Sequence, residues 1–390
     1  MTAHHQTFHV AVVGGGLVGK SAALALAQTG LRVALVAQPA APRPADVPFD
    51  ARIYALSASS QALLERLRIW QALDHDRLSP VYDMRVFGDA LAELHFSAFQ
   101  AAVPQLAWIA ESSLVEHALD SALRFQPQVA WFDTRAQGLD VKPDCACLAL
   151  ANGKVLEADL VVGADGAHSW VRAQIGAHVS RRDYRQTGVV ANFKAEKPHG
   201  ETAYQWFAGG EIVALLPLPG SHVSLVWSAA TDHARELLAL APAQLAAAVE
   251  DVSQGRLGAL ECVGAAHGFP LARQSVDRLI APRVALVGDA AHLIHPLAGQ
   301  GMNLGLRDVS SLADVLAAKE PFRDLGDLVL LRRYERARRE DIGALTLATD
   351  GLQRLFSVPG TLARSVRNAG MALVGAQPLV KRWLVSAALG

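Results

Sequence analysis

Cysteine is scarce in this chain: Cys145, Cys147 and Cys262 are the three among 390 residues. Three is an odd number, and Cys145-Ala146-Cys147 is too tight for a C-x-x-C redox or zinc motif. Neither a disulfide framework nor a metal site is expected, and the thiols read as free in a reducing cytoplasm. Excess charge is lacking too. Lys plus Arg number 36 against 37 Asp plus Glu, so the net charge is −1 and there is no footprint for nucleic acid. No apolar run reaches the ~18 residues of a membrane span. The segment MTAHHQTFHV carries no basic stretch ahead of an apolar one. These absences predict a cytoplasmic protein. Internal repeats and low-complexity linkers are also missing. What is abundant is apolar: 51% hydrophobic against 19% charged residues, enough for a large core in two or three joined domains.

Residues 12–21, VVGGGLVGKS, match two phosphate-binding patterns. Gly14, Gly16 and Gly19 fit the dinucleotide fingerprint G-x-G-x-x-G. Gly14, Gly19, Lys20 and Ser21 fit the P-loop of ATP and GTP users. The surroundings form a β-α-β unit: apolar Phe8 to Val13, an Ala/Leu-rich helical stretch from Leu17 to Gln28, and a buried-strand run from Val33 to Val36. In the dinucleotide reading, Gly14 permits the turn and Gly16 lets the backbone approach a pyrophosphate. Gly19 lets helix and strand pack closely. The N–H groups of the first helical turn then meet the phosphates, and Lys20 becomes a solvated first-turn residue. One part is missing. Ala37 stands where an acid should bond a ribose hydroxyl, and no Asp or Glu occurs between Ser21 and Asp46. Gln38 offers only a neutral hydrogen bond.

Further along, the Pro-rich stretch 40–50 reads as a loop. Helices are expected over 61–73, 112–125, 233–252 and 303–319, and through much of 328–389. Strands are expected within 80–105 and 129–162, and over 188–195, 203–207, 211–218, 222–230 and 284–287.

Two later segments resolve the ambiguity at the first loop. GADGAHSWVR at 163–172 follows an apolar strand, and GDAAHLIHPLAGQGMNLGLRD at 288–308 is a second glycine-rich loop opening a second helix. A P-loop protein could use Asp289 as its Walker B acid but has no use for the loop after it. With GGGLVG at 14–19, these motifs resemble, in order, those of the aromatic-ring flavoprotein monooxygenases. More narrowly they resemble the ubiquinone-biosynthesis hydroxylases of that superfamily. Asp50-Ala51-Arg52, Leu225-Val226-Trp227-Ser228 and Tyr334-Glu335-Arg336-Ala337-Arg338 are similar too, and the likeness runs from about residue 8 onward.

The resemblance implies an α/β fold with three parts. A Rossmann-like FAD-binding domain would span 1–78, 106–180 and 266–328. An inserted antiparallel β-sheet substrate domain would span 79–105 and 181–265, and C-terminal helices 329–390. It implies that Gly14, Gly16 and Gly19 line the FAD pyrophosphate, with Gln38 toward the ribose and Arg52 near the cofactor. Glu111 would stand close to the flavin, and Asp165 and Gly166 beside pyrophosphate and ribose. Gly288 and Asp289 would hold the ribityl–phosphate portion. Pro296 would line the flavin's substrate side in a loop containing Gly299 and Gly301, and the amides of Met302 and Asn303 would meet the pyrimidine edge. With Ala37 in the acid's slot, FAD is expected to be held less tightly.

The implied reaction is hydroxylation of a phenol or quinol ring through a flavin C4a-hydroperoxide. It draws on FAD, dioxygen, and NAD(P)H or another electron donor. The implied substrate is a polyprenylated aromatic of ubiquinone biosynthesis. The implied setting is a multi-enzyme complex with at most peripheral membrane contact, for which the apolar tail 371–389 is a candidate. His292 and His295 are candidates for moving a proton. Tyr204, Trp206, His222 and Trp227 are candidates for flanking the ring. Another phenolic substrate, or a non-catalytic flavoprotein subunit, stays open.

Overall fold

The computed structural model describes residues 6–38, 49–88, 93–295, 300–357 and 377, apart from the side chains of 208, 348 and 352–357. Strand β1 (Gln6–Val13), helix α1 (Leu17–Gln28) and strand β2 (Val33–Val36) form the expected unit. Every residue of β2 is buried, as a parallel strand covered on both faces requires. Next come β3 (Ile53–Leu56), α2 (Ala58–Arg66), β4 (Ser79–Val81), β5 (Asp83–Phe87), β6 (Glu93–Ser97), the short α3 (Ala98–Ala101) and β7 (Ala107–Glu111). Helix α4 (Ser112–Arg124) leads into β8 (Val129–Phe132), β9 (Ala136–Val141), β10 (Ala146–Leu150) and β11 (Val155–Gly163).

After α5 (Trp170–Gln174) the chain builds β12 (Val179–Ala195), β13 (Thr202–Ala208), β14 (Glu211–Leu218) and β15 (His222–Ala230). Helices α6 (Thr231–Ala239) and α7 (Pro242–Val252) follow. One helix is expected across 233–252; Pro242 splits it, because proline is accepted in a first helical turn and not in an interior. The rest is β16 (Leu260–Val276), β17 (Ile280–Ala281), β18 (Val284–Leu286), β19 (His292–Leu293), α8 (Gln300–Ala317) and α9 (Leu328–Ser357).

Three sheets result. The first has the order β17-β18-β11-β1-β2-β8, with β10 and β9 continuing off β11. Its strands β18, β11, β1, β2 and β8 run parallel. The second has the order β19-β16-β12-β15-β14-β13-β5-β6 and is antiparallel except where β13 meets β5. The third is the small β3-β7-β4. The fold is thus α/β, with a doubly covered, mainly parallel sheet and a mainly antiparallel one of equal strand number. The divisions drawn at 180/181 and 265/266 fall inside β12 and β16, which pair along nearly their whole lengths. Strand β16 carries no sequence signal. LECVGAAHGFPLARQSV has glycines, a proline and largely exposed positions, so pairing with β12 makes it a strand. The apolar tail 371–389 lies outside the described residues, apart from the exposed Gln377.

Candidate functional site

Parallel strands carry all their C-terminal ends to one edge, and that edge collects the three motifs. Gly14 follows β1, Ala164-Asp165-Gly166 follows β11 and Gly288-Asp289 follows β18, on three adjacent strands. Backbone bonds stitch the turns together: Gly14 N–H donates to Val36 O at 3.0 Å, and Ala164 N–H to Val13 O at 2.8 Å. The result is a cleft of about 660 Å³. Gly14, Gly16, Gln38, Arg52, Asp165, Gly166, Asp289, Gly301 and Met302, all expected at the cofactor, line it.

The local geometry explains the glycines. A Cβ on Gly14, whose φ is +125°, would stand 2.2 Å from Ala164 O. Gly16, Gly166 and Gly301 have no protein atom within 4 Å of a would-be Cβ, so side chains there would project into the cleft. Gly16 is also the N-cap of α1 and supplies no side-chain cap. Gly301 and Met302 bring the first turn of α8 to the same space. Two helix N-termini therefore present N–H donors and positive dipole ends to one cleft. An open backbone cradle with paired helix ends fits the pyrophosphate and the electron-rich ring edge of FAD.

The charged residues divide the work. Asp165 lines the cleft but accepts from Trp170 N at 2.7 Å and Val171 N at 3.0 Å, so its carboxylate caps α5 and shapes the Asp-Gly turn. Buried Arg172 ties that turn to the Gly288–Ala290 turn after β18, donating to Ala167 O at 2.8 Å and Ala290 O at 3.0 Å. Asp289 is half-buried. Burial pushes its carboxyl above the usual range, while His292 and Arg52 pull it down and Asp308 adds to the rise.

Other candidates stand behind the cleft. Gly19 sits where a Cβ would meet Gly14 O at 2.1 Å, a helix-packing contact. Gly288 packs on Val18, and its N–H donates to Asp308 Oδ2 at 2.8 Å. The Asn303 side chain clamps β3 to α8, donating to Ala55 O at 2.8 Å and accepting from Ser57 N at 3.0 Å. Glu111 is buried and pairs with Arg77, and it accepts from Asp50 N at 2.6 Å. Pro296 and Gly299 lie outside the described residues. Lys20 corrects the expectation of a solvated side chain. It is 1% exposed, with Nζ 2.7 Å from Asp120 Oδ1 and 3.9 Å from Glu116 on α4. Its charge is spent on α4 and not on a phosphate, which removes the P-loop reading.

The two histidines differ. His292 lies 2.6 Å from Asp308 Oδ2, and Arg338 Nε donates to Asp308 Oδ1 at 2.7 Å. Burial pushes Asp308 up, but His292 and Arg338 outweigh it and hold the carboxyl below its usual range. His295 is fully buried, 4.9 Å from the Tyr184 ring, with Nε2 3.3 Å from Gln186 Oε1. Gln186 Nε2 donates to Gly210 O at 3.2 Å, so its carbonyl faces His295 and requires an N–H there. Nδ1 of His295 then carries the lone pair, and it has no partner among the described residues. Burial lowers this imidazole to about 4, so it is neutral at physiological pH.

The antiparallel sheet corrects the aromatic candidates. Tyr204, Trp206 and Trp227 point to the face covered by α6 and α7. Tyr204 and Trp206 stack at 5.8 Å, and Phe87 stacks on Trp206 at 5.3 Å. Trp227 Nε1 donates to Glu211 Oε2 at 2.8 Å. The opposite face turns to the three-stranded sheet and residues 49–50. There His222 packs 5.0 Å from the Phe49 ring. Val190, Val226 and Ala214 stand side by side on β12, β15 and β14, and the last two keep some surface open. Phe269, 40% exposed, lies over Gly188 on the same face. Sequence reasoning passed over these small residues. Alternation alone does not say which face is covered.

Cleft-lining Glu116, Thr134 and Arg135 were also passed over, since none belongs to a local motif, and His168 lines the cleft from within the 163–172 motif without having been singled out. Among the described residues, Cys145, Cys147 and Glu157 bring possible metal-ligand atoms within 4.8 Å of one another, and none of them lines the cleft.

Comparison with known proteins agrees with this geometry. The FAD binding domain family matches residues 7–348. The chain is 36% identical to 3-demethoxyubiquinol 3-hydroxylase of Escherichia coli (strain K12), covering 99% of each chain. It is 35% identical to the ubiquinone hydroxylase UbiL of Rhodospirillum rubrum, over 98% of this chain and 89% of the relative. Among solved structures, PqsL, a probable FAD-dependent monooxygenase from Pseudomonas aeruginosa, superposes with a TM-score of 0.78 at 25% identity. That match covers 94% of this chain and all of PqsL, 100%.

Proposed function

Because the chain belongs to the FAD-binding monooxygenase family that includes the ubiquinone-biosynthesis hydroxylases, we propose that it hydroxylates the ring of a polyprenylated phenol or quinol in that pathway. It is an FAD-dependent oxidoreductase. The observation that carries the reading is the convergence of three glycine-rich loops and two helix N-termini on one cleft. FAD, when bound, supplies the redox and oxygen-activating chemistry, drawing on NAD(P)H or another donor and on dioxygen.

The chain's own residues do the rest. Backbone at Gly14, Gly16 and Gly166, with Arg52 and Asp289 in the same cleft, would hold the cofactor, the glycines leaving room for its pyrophosphate. The first turn of α8, which opens onto the cleft, would favour the negative charge that gathers on the flavin on reduction. The strip Val190–Val226–Ala214, with Phe269 beside it, offers a flat apolar floor for an aromatic ring and excludes water. His295 is the histidine suited to accept a hydrogen bond from a phenol O–H, because Gln186 fixes its tautomer and leaves Nδ1 bare. His292, locked to Asp308, holds the loop.

No helix among the described residues is long and apolar enough to cross a membrane. A polyprenyl tail partitions into lipid, so the reading includes peripheral membrane contact and assembly with other enzymes of the pathway.

The test is deletion of the gene with mass spectrometry of accumulating quinone precursors. A prenylated ring lacking one oxygen should accumulate, and the wild-type gene should clear it. No accumulation of a ubiquinone-pathway intermediate would overturn the substrate. A colourless purified protein releasing no FAD on denaturation would overturn the cofactor.

A further inference from the structure

Ala37 leaves β2 without a ribose-binding acid, yet the cleft wall at this point is not bare. Arg135, just beyond the C-terminal end of β8, reaches across the paired ends of β8 and β2. Its Nε donates to Gln38 Oε1 at 2.8 Å, and both residues line the cleft. The turn beneath them is pinned, because Trp131 Nε1 donates to Ala37 O at 3.0 Å. A guanidinium has no acceptor, and this one occupies the carbonyl of Gln38. What the pair presents outward is N–H: the remaining guanidinium donors and the amide NH2 of Gln38. Glu116 on α4 also lines the cleft, but Ser112 Oγ donates to it at 2.9 Å and Lys20 Nζ stands 3.9 Å away, so its charge is already compensated.

In dinucleotide folds an acid in the Ala37 slot accepts the ribose hydroxyls and repels a phosphate there. An arginine nearby receives one instead. The polarity of this corner is therefore inverted.

We propose that Arg135, oriented by Gln38, binds the adenosine ribose of the cofactor as a hydrogen-bond donor in place of the missing carboxylate, and gives this end of the cleft a preference for adenosine carrying an anionic 2′ group. The proposal rests on the FAD reading above. It replaces the expectation of a merely weakened site with one of a differently wired site. The specificity lies in Arg135 and the positioning in Gln38.

The experiment uses purified holoprotein. FAD affinity is measured by equilibrium dialysis for wild type, Arg135→Ala, Arg135→Lys and Gln38→Ala. Displacement of FAD by adenosine 2′,5′-bisphosphate and by adenosine 5′-monophosphate is followed by the rise of free-flavin fluorescence. Arg135→Ala should weaken FAD about tenfold, the scale of one hydrogen bond from a charged donor. The bisphosphate should displace FAD from wild type at roughly a tenth of the monophosphate concentration. That advantage should vanish in Arg135→Ala, persist in Arg135→Lys, and shrink in Gln38→Ala. Melting temperature at saturating FAD should fall only by the small amount that tenfold weaker binding accounts for, because Arg135 is exposed. Equal displacement of FAD from wild type by the two nucleotides would overturn the proposal, and so would an Arg135→Ala affinity within about twofold of wild type. A wild-type protein that holds no FAD at all would overturn the cofactor reading instead.

Discussion

The parallel sheet, which ends at the cleft, and the antiparallel sheet, proposed as the floor for the substrate ring, are built in opposite ways. The parallel sheet works with backbone. Its strands β18, β11 and β1 end side by side, and the turns after them supply the cleft through glycines, N–H groups and helix ends. The antiparallel sheet works with side chains. Its two faces differ only in what covers them. Tyr204, Trp206 and Trp227 pack under α6 and α7, while Val190, Val226 and Ala214 face the other way. A backbone site is fixed by chain geometry over ten residues. A side-chain site is fixed by a neighbour far away in sequence.

The sharpest way to break this comparison is at the first loop. Gly16→Val has room among protein atoms and an ordinary φ of −75°, so the fold should survive. FAD affinity should fall on the order of a hundredfold, about 2.7 kcal/mol, read by flavin content and dialysis. Gly14→Val should instead lose soluble protein, since its Cβ would meet Ala164 O at 2.2 Å. If both variants behave alike, the distinction between cradle and packing glycine fails.

A comparable loss is expected at His292, which bonds Asp308 on α8. Asp308→Asn strips the buried His292 and Arg338 of their shared partner and should destabilise the fold by roughly 3–5 kcal/mol in denaturant titration. Asp308 has a folded pKa below its unfolded one. Its stabilisation is complete above the unfolded value and is lost as pH falls through the folded one. The variant should therefore lose less stability than wild type under acid. A variant as stable as wild type at neutral pH would remove the structural role given to His292.

His295 is depressed to about 4 by burial, so it favours the fold above pH ~6.5, and that advantage fades as pH falls toward 4. His295→Gln should flatten roughly 3 kcal/mol of this slope. It should also lower turnover of the phenolic substrate more than it raises KM. Equal turnover would take His295 out of the chemistry.

The smallest effects test the sheet faces. Val226→Phe fills the open strip and should lower kcat/KM about tenfold with stability nearly unchanged. Trp227→Phe removes the bond to Glu211 and should lower stability by about 1 kcal/mol while leaving kcat/KM alone. The reverse pattern would put the substrate on the helix-covered face.

Much of the cofactor half was legible in the sequence. The helix over Leu17–Gln28 and the strand over Val33–Val36 stand at their expected bounds, because glycine spacing and apolar runs act locally. The glycine motifs announced themselves for the same reason. Glu116 and Arg135 did not, since a helix face and a turn residue join the cleft only by assembly. Strand β16 was silent because its partner β12 makes it a strand. Lys20 gave a misleading signal. Its motif pointed to phosphate, and α4 turned its charge inward.

The sequence by itself determined the β-α-β unit, the three glycine-rich turns and the family pattern. These depend on backbone conformations that a few neighbouring residues dictate. Only the tertiary structure decided which sheet face the helices cover, which histidine keeps a free nitrogen, and which side chains line the cleft beside Ala37. Each of those depends on residues brought together by packing, and a period of two or a lone arginine carries no record of what will lie across from it.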